Sequence, residues 1–302
     1  MEREQMRGLQ AAVTAYLMWG LLTIYWKQLS GFDPVELIGW RVVSASVVMA
    51  LFMQLTGGWP EVRGAFSDRP TAVRIAVAAV LLTANWATYV WAIVNSRIIE
   101  TALGYFLAPL GTMAIGVFVL GEQITPLKRW SVAFALAAVV VLTVSYGEVP
   151  WIAVMLAASW AAYGLTKRRV PLEAAQSLAA ETLVLIVPAI IIVAAGWWRD
   201  EGVLQVATAV DWGFLLGSGI ITAVPLVLFA FAAKRLPFTV LGPANYLVPI
   251  INFLLGWLVY EEPLSTSRFA GFALVWVALT LVTLDTLRSP QSALREPVTT
   301  SA

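Results

Sequence analysis

The chain alternates long apolar runs with short charged breaks. Runs free of Asp, Glu, Lys and Arg fall at 8–26, 42–60, 75–96, 101–121, 130–147, 149–166, 182–198, 212–233, 236–260 and 269–284. Each is near the roughly 20 residues that a helix needs to cross a hydrocarbon core ~30 Å thick. In lipid only helices and closed barrels satisfy every backbone group, and runs this continuously apolar are helices. The pattern predicts an all-α integral membrane protein with ten transmembrane helices. They are placed at about 8–27, 35–56, 71–95, 101–122, 128–147, 150–168, 176–197, 211–233, 238–260 and 267–287, numbered TM1 to TM10.

The pattern also repeats. Thr101–Glu122 (TALGYFLAPLGTMAIGVFVLGE) returns as Leu241–Glu262 (LGPANYLVPIINFLLGWLVYEE). Pro109 and Pro249 are 140 residues apart, as are Glu122 and Glu262 (249 − 109 and 262 − 122). A fixed-period echo of this kind marks duplication. The expected domains are residues 1–147 as a first five-helix repeat, 148–287 as a second, and 288–302 as a disordered cytoplasmic tail. Five is odd, so the second copy enters the membrane upside down. Inverted repeats are a transporter architecture with the site near midplane between the copies. A duplication that merely makes a stable bundle is the plainer alternative.

Composition agrees with a membrane chain: 60% hydrophobic, 12% charged, mean hydropathy +0.82. If the N-terminus is inside, fourteen Lys and Arg fall in inner segments and four in outer ones, with Arg41 inside a run. That asymmetry places both termini in the cytoplasm. Residues 8–26 are long and lack a small-residue cleavage site, so they read as TM1 and not as a signal peptide. The net charge of +1 gives no pull toward nucleic acid, so the expected partners are a small-molecule solute and the lipid bilayer. There is no Cys and no His, which removes thiol chemistry, the usual metal ligands and His-based acid–base pairs. No Gly-x-x-x-x-Gly-Lys-[Ser/Thr] loop exists to bind ATP. The chain is therefore not expected to be an enzyme or to hold a cofactor or metal.

The chemistry sits in a few polar residues inside apolar runs. Arg41 and Glu181 are the clearest charges there, again 140 apart. A charge in the hydrocarbon costs roughly 2.5–3.5 kcal/mol on insertion scales and usually faces an interior or a wet cavity. Inversion sets Arg41 near the outer mouth and Glu181 near the inner one, two posts of one cavity, with Glu181 the candidate proton site. The competing reading is interfacial snorkelling, with Arg41 meeting Glu36 or Glu100. Asn85 and Tyr89 share a face of TM3, with Trp86 adjacent, and suit either substrate contact or interhelical hydrogen bonding. Asn245 and Tyr246 in TM9, opposite Tyr105 and Phe106 under the same offset, carry the same two readings. Pro109, Pro225 and Pro249 each remove a backbone donor and are read as mid-helix kinks. Trp26, Trp59, Trp151, Trp197, Trp198 and Trp212 lie at run ends and read as an interface belt. The Ala270, Gly271, Ala273 face of TM10 suits close helix packing, within the chain or across a homodimer.

Several of these residues resemble a known family. Gly8 with Trp19-Gly20, Asn85-Trp86 with Trp91-Ala92 and Asn95, Leu103-Gly104-Tyr105-Phe106 with Pro109-Leu110, and Leu120-Gly121-Glu122 are similar to the EamA-type drug/metabolite transporters, in particular the RarD-like permeases. The resemblance covers about residues 8–287. It implies ten helices in two inverted repeats, a bacterial inner-membrane location, efflux of a small metabolite or drug, and TM5 and TM10 peripheral to a central cavity. The chain departs from the RarD-like pattern in carrying Trp40-Arg41 where those chains carry His-Arg. The function expected is a secondary exporter working by alternating access. A membrane sensor or scaffold, or a lipid carrier, is the alternative.

Overall fold

A computed structural model describes residues 3–118, 125–198, 202–233, 235–236 and 244–288. Glu122 and the tail beyond Arg288 lie outside the described residues. The described residues form helices joined by short turns, with no strand among them. In chain order these are α1 (Arg3–Lys27), α2 (Pro34–Thr56), α3 (Trp59–Ser67), α4 (Arg69–Val94), α5 (Ile98–Phe118), α6 (Pro126–Tyr146), α7 (Trp151–Lys167) and α8 (Ala174–Gly196). They continue as α9 (Val203–Val206), α10 (Ala209–Ala233), α11 (Leu247–Leu254, prolonged by a π turn over Leu255–Val259) and α12 (Thr266–Arg288).

Among the described residues, seven helices are long and apolar enough to cross a membrane: α1, α2, α4, α6, α8, α10 and α12. Shorter apolar stretches run over Ile98–Ala114 in α5 and Leu247–Val259 in α11, and α7 has 17 residues. Bulky apolar side chains such as Leu55, Val144, Val187 and Ile191 point outward, as lipid-facing positions do.

The helix ends are written in the sequence. Asp33 accepts from the amides of Val35 and Glu36 at 2.9 and 3.0 Å, with Pro34 in the first turn of α2. Asp68 caps α4 through Thr71 N at 3.0 Å, and Thr125 caps α6. Gly57 and Gly147 close α2 and α6 at φ 71° and 76°, a conformation that favours glycine. The segment between the expected TM2 and TM3 carries a further short helix, α3. Its Trp59-Pro60 start suits a first helical turn, and Val62 and Ala65 are buried.

Helix pairing sets the site. α5 packs on α7, α1 on both α10 and α11, α2 on α8 and α10, α4 on α7 and α8, and α6 on α12. Some of these contacts are close enough to require glycine. A Cβ on Gly104 of α5 would lie 2.8 Å from Leu156 Cβ of α7, and one on Gly20 of α1 would lie 2.7 Å from Ile251 Cδ1 of α11. Gly271 of α12 packs against Leu142 of α6, so this small-residue position serves packing inside the chain. Trp26 is a correction to the interface-belt reading: it is fully buried in the main core beside α2 and α4. Trp197 and Trp198 are exposed at the end of α8, where a belt residue belongs.

Candidate functional site

A cavity of about 110 Å³ lies between α1, α2, α4, α5, α7 and α11. Its wall is made by Trp19, Leu22, Arg41, Asn85, Trp86, Tyr89, Tyr105, Ala108, Trp160, Asn245, Val248 and Pro249. The expected residues Arg41, Asn85, Trp86, Tyr89, Tyr105 and Asn245 are thus brought together. Neither α6 nor α12 supplies any of the twelve.

Arg41 is the eighth residue of α2 and only 4% exposed. Its guanidinium lies over the Trp86 ring at 4.0 Å and the Trp26 ring at 5.3 Å. Its Nε and Nη1 have no hydrogen-bond partner. The snorkelling reading fails on two counts. The side chain is buried, and the two acids named for it bond elsewhere. Glu36 Oε1 accepts from Val203 N at 3.0 Å, and Glu100 Oε1 accepts from Arg97 Nε at 2.5 Å.

The polar wall is a linked set of hydrogen bonds. Asn85 Nδ2 donates to Leu156 O at 3.1 Å and Ser159 Oγ at 3.0 Å, and Tyr105 OH approaches Asn85 Oδ1 at 3.4 Å. The two readings of Asn85 therefore hold at once: it ties α4 to α7 and still faces the cavity. Thr23 Oγ1 donates to Asn252 Oδ1 at 2.9 Å. Its single proton is thus committed, so Tyr89 OH, 3.0 Å away, is the donor to Thr23. Thr23, Ser159, Asn252 and Trp160 were not singled out from sequence. Asn252 carries the same signal as Asn85, an amide inside a charge-free run.

Three expectations are corrected. Glu181 does not line the cavity. It is fully buried and accepts from Lys167 Nζ and Ser177 Oγ, each at 2.8 Å, and from Tyr163 OH at 3.0 Å. The cause is the short turn between α7 and α8, which brings the last residue of α7 back over the second turn of α8. Tyr246 does not line the cavity either. It packs with the cluster that includes Phe253 and Phe272, because neighbours at a helix start point about 100° apart and Asn245 takes the cavity side. Pro249 is the third residue of α11, a first-turn position whose amide needs no helical partner, and so stands at a helix start and not mid-helix. Pro109 and Pro225 do lie inside continuous helices, as does Pro188 of α8, which the sequence reading passed over.

The EamA-like transporter family matches the chain twice, over residues 6–144 and 149–284. Protein RarD of Streptomyces exfoliatus is 39% identical over 290 residues, 95% of this chain and 91% of that protein. The uncharacterized transporter YojE of Bacillus subtilis is 33% identical across 94% of this chain and 96% of its own length. Protein RarD of Escherichia coli is 32% identical across 95% of this chain and 97% of its own. A crystal structure at 19% identity superposes with a TM-score of 0.60 over 93% of this chain and 98% of the other, which bears on the fold alone. Matched along nearly its whole length, the chain belongs to the EamA-like transporter family and is a multi-pass membrane transporter of the RarD-like kind.

Proposed function

We propose that this protein is a secondary transporter that exports a small organic metabolite or drug across the bacterial inner membrane by alternating access. Its ten spans form two inverted five-helix repeats, residues 1–147 and 148–287, with both termini cytoplasmic. The observation that carries this reading is a symmetry of the helix pairing. Exchange α1 with α7, α2 with α8, α4 with α10, α5 with α11, and α6 with α12. The pair α5–α7 becomes α11–α1, α4–α7 becomes α10–α1, and α2–α10 becomes α8–α4, while α2–α8 and α6–α12 return themselves. Every product is a pair the structure contains.

The cavity lies where the two copies meet. Arg41, Asn85, Trp86, Tyr89 and Tyr105 come from the first, and Trp160, Asn245, Val248 and Pro249 from the second. Rocking one copy against the other opens such a site to one face and then the other. Uptake into everted membrane vesicles tests this, over a panel of amino acids, phenicol drugs and aromatic carboxylates, with and without an imposed proton gradient. Accumulation above empty-vector vesicles is expected for at least one solute, and its absence across the panel would sink the reading. Running Glu181→Gln beside it decides whether that carboxylate carries a coupling proton or only ties α7 to α8. Its closed cluster with Lys167 favours the tie.

A further inference from the structure

Among the described residues, the cavity holds a cation without a counter-ion. Arg41 is 4% exposed, and two of its guanidinium nitrogens have no partner. None of the twelve lining residues is Asp or Glu. The acids that could have served are engaged elsewhere: Glu36 with the α9 amide, Glu100 with Arg97, and Glu181 with Lys167. An uncompensated buried charge is expensive, and the Trp86 face beneath it offsets only part of that cost. Each of the two unpartnered nitrogens forms a planar fork with Nη2, and such a fork matches a carboxylate at two points.

The rest of the wall is aromatic, from Trp19, Trp86, Tyr89, Tyr105 and Trp160. At about 110 Å³ the cavity is somewhat smaller than the roughly 150 Å³ of an apolar cavity that takes benzene, so the body it encloses is one small ring or its equivalent.

We infer that the solute is a small organic monoanion, its carboxylate held at two points by Arg41 and its ring-sized apolar body enclosed by Trp19, Trp86, Trp160, Tyr89 and Tyr105. A zwitterion is disfavoured, because no acid among the described wall residues meets an ammonium group. An amine is disfavoured more strongly, because it meets Arg41 as a like charge. The inference names the substrate class of the transport site proposed above and rests on that reading only for the claim that the anion is carried.

The test is equilibrium binding of radiolabelled phenylacetate to the purified full chain in lipid nanodiscs. Competitors are phenylacetamide, phenethylamine and phenylalanine, which keep the ring and change the head group. Phenylacetate is ionised at neutral pH, since carboxyls titrate near 4. It should bind at least about tenfold more tightly than the amide and than phenylalanine, with phenethylamine weakest. Arg41→Gln should close the gap between acid and amide, and Arg41→Lys should keep part of it.

No displaceable phenylacetate binding at millimolar concentration overturns the inference. So does an amide or a zwitterion binding as well as the acid, or an acid preference that survives Arg41→Gln. The wild-type comparison decides even if a variant does not fold. Counterflow in proteoliposomes separates the two claims. Phenylacetate that binds but is not moved leaves the anion site and removes the transport reading. A neutral solute moved equally well by Arg41→Gln leaves transport and removes the anion.

Discussion

Arg41 and Glu181 occupy equivalent places in the two halves, each the eighth residue of its helix, and meet opposite fates. Glu181 is neutralised by Lys167 and bonded by Tyr163 and Ser177, all within two neighbouring helices. Arg41 has aromatic rings where Glu181 has partners, and two of its donors are unmet. The difference lies in what the preceding helix offers. α7 ends in Lys167, one short turn before α8. Lys27 at the end of α1 is spent on Ile93 O and Ser96 Oγ, at 3.3 and 2.7 Å. A charge inside a membrane protein is structural when its neighbours complete it and available for a ligand when they do not.

The comparison can be broken most forcefully at Lys167. Lys167→Met strands Glu181 as a buried charge and should lower unfolding stability by about 3 kcal/mol, the low end for a buried pair because Lys167 is 23% exposed. Thermal unfolding in detergent measures it, and adding Glu181→Gln should restore most of the loss. Next is Glu262, a second buried acid, completed by backbone amides instead of a lysine. Its oxygens accept from Ile98 N at 2.6 Å and Ile99 N at 2.8 Å, and Glu262→Gln should cost about 2 kcal/mol in the same assay. Asn85→Leu removes the bonds to Leu156 O and Ser159 and should cost about 1 kcal/mol, as interhelical hydrogen bonds in membranes do. Arg41→Gln should cost least, with no loss of stability, because the charge it removes is buried with no described acid to pair it. A loss of 2 kcal/mol or more there, on the order of what a completed charge shows, would mean that Arg41 is as structural as Glu181.

Much of this was legible in the sequence for one physical reason: polar groups inside apolar runs are expensive and therefore rare. That reason alone selects Arg41, Asn85, Tyr89 and Asn245, and the 140-residue echo pairs the halves. What it does not reveal is the partner. The sequence pattern places Lys167 at a run end, as expected of a flanking basic residue, yet its stem reaches back to Glu181. Trp26 also lies at a run end but is drawn into the core beneath Arg41. The choice between Asn245 and Tyr246 depends on where α11 starts, and helix starts are fixed by capping and tertiary contacts more than by hydropathy. The π turn over Leu255–Val259 leaves no hydropathy signal at all.

The carboxylate of Glu262 also gives the molecule a built-in clock. The first amides of a helix ordinarily have no intrahelical acceptor and trade hydrogen with water freely. At Ile98 and Ile99 both are held by one buried side chain from the far end of the chain. The two protons are therefore freed together when that carboxylate withdraws, as it does when α5 parts from the segment after α11. Deuterium uptake at this pair of amides, timed against that of the helix interiors, reports how often that contact opens.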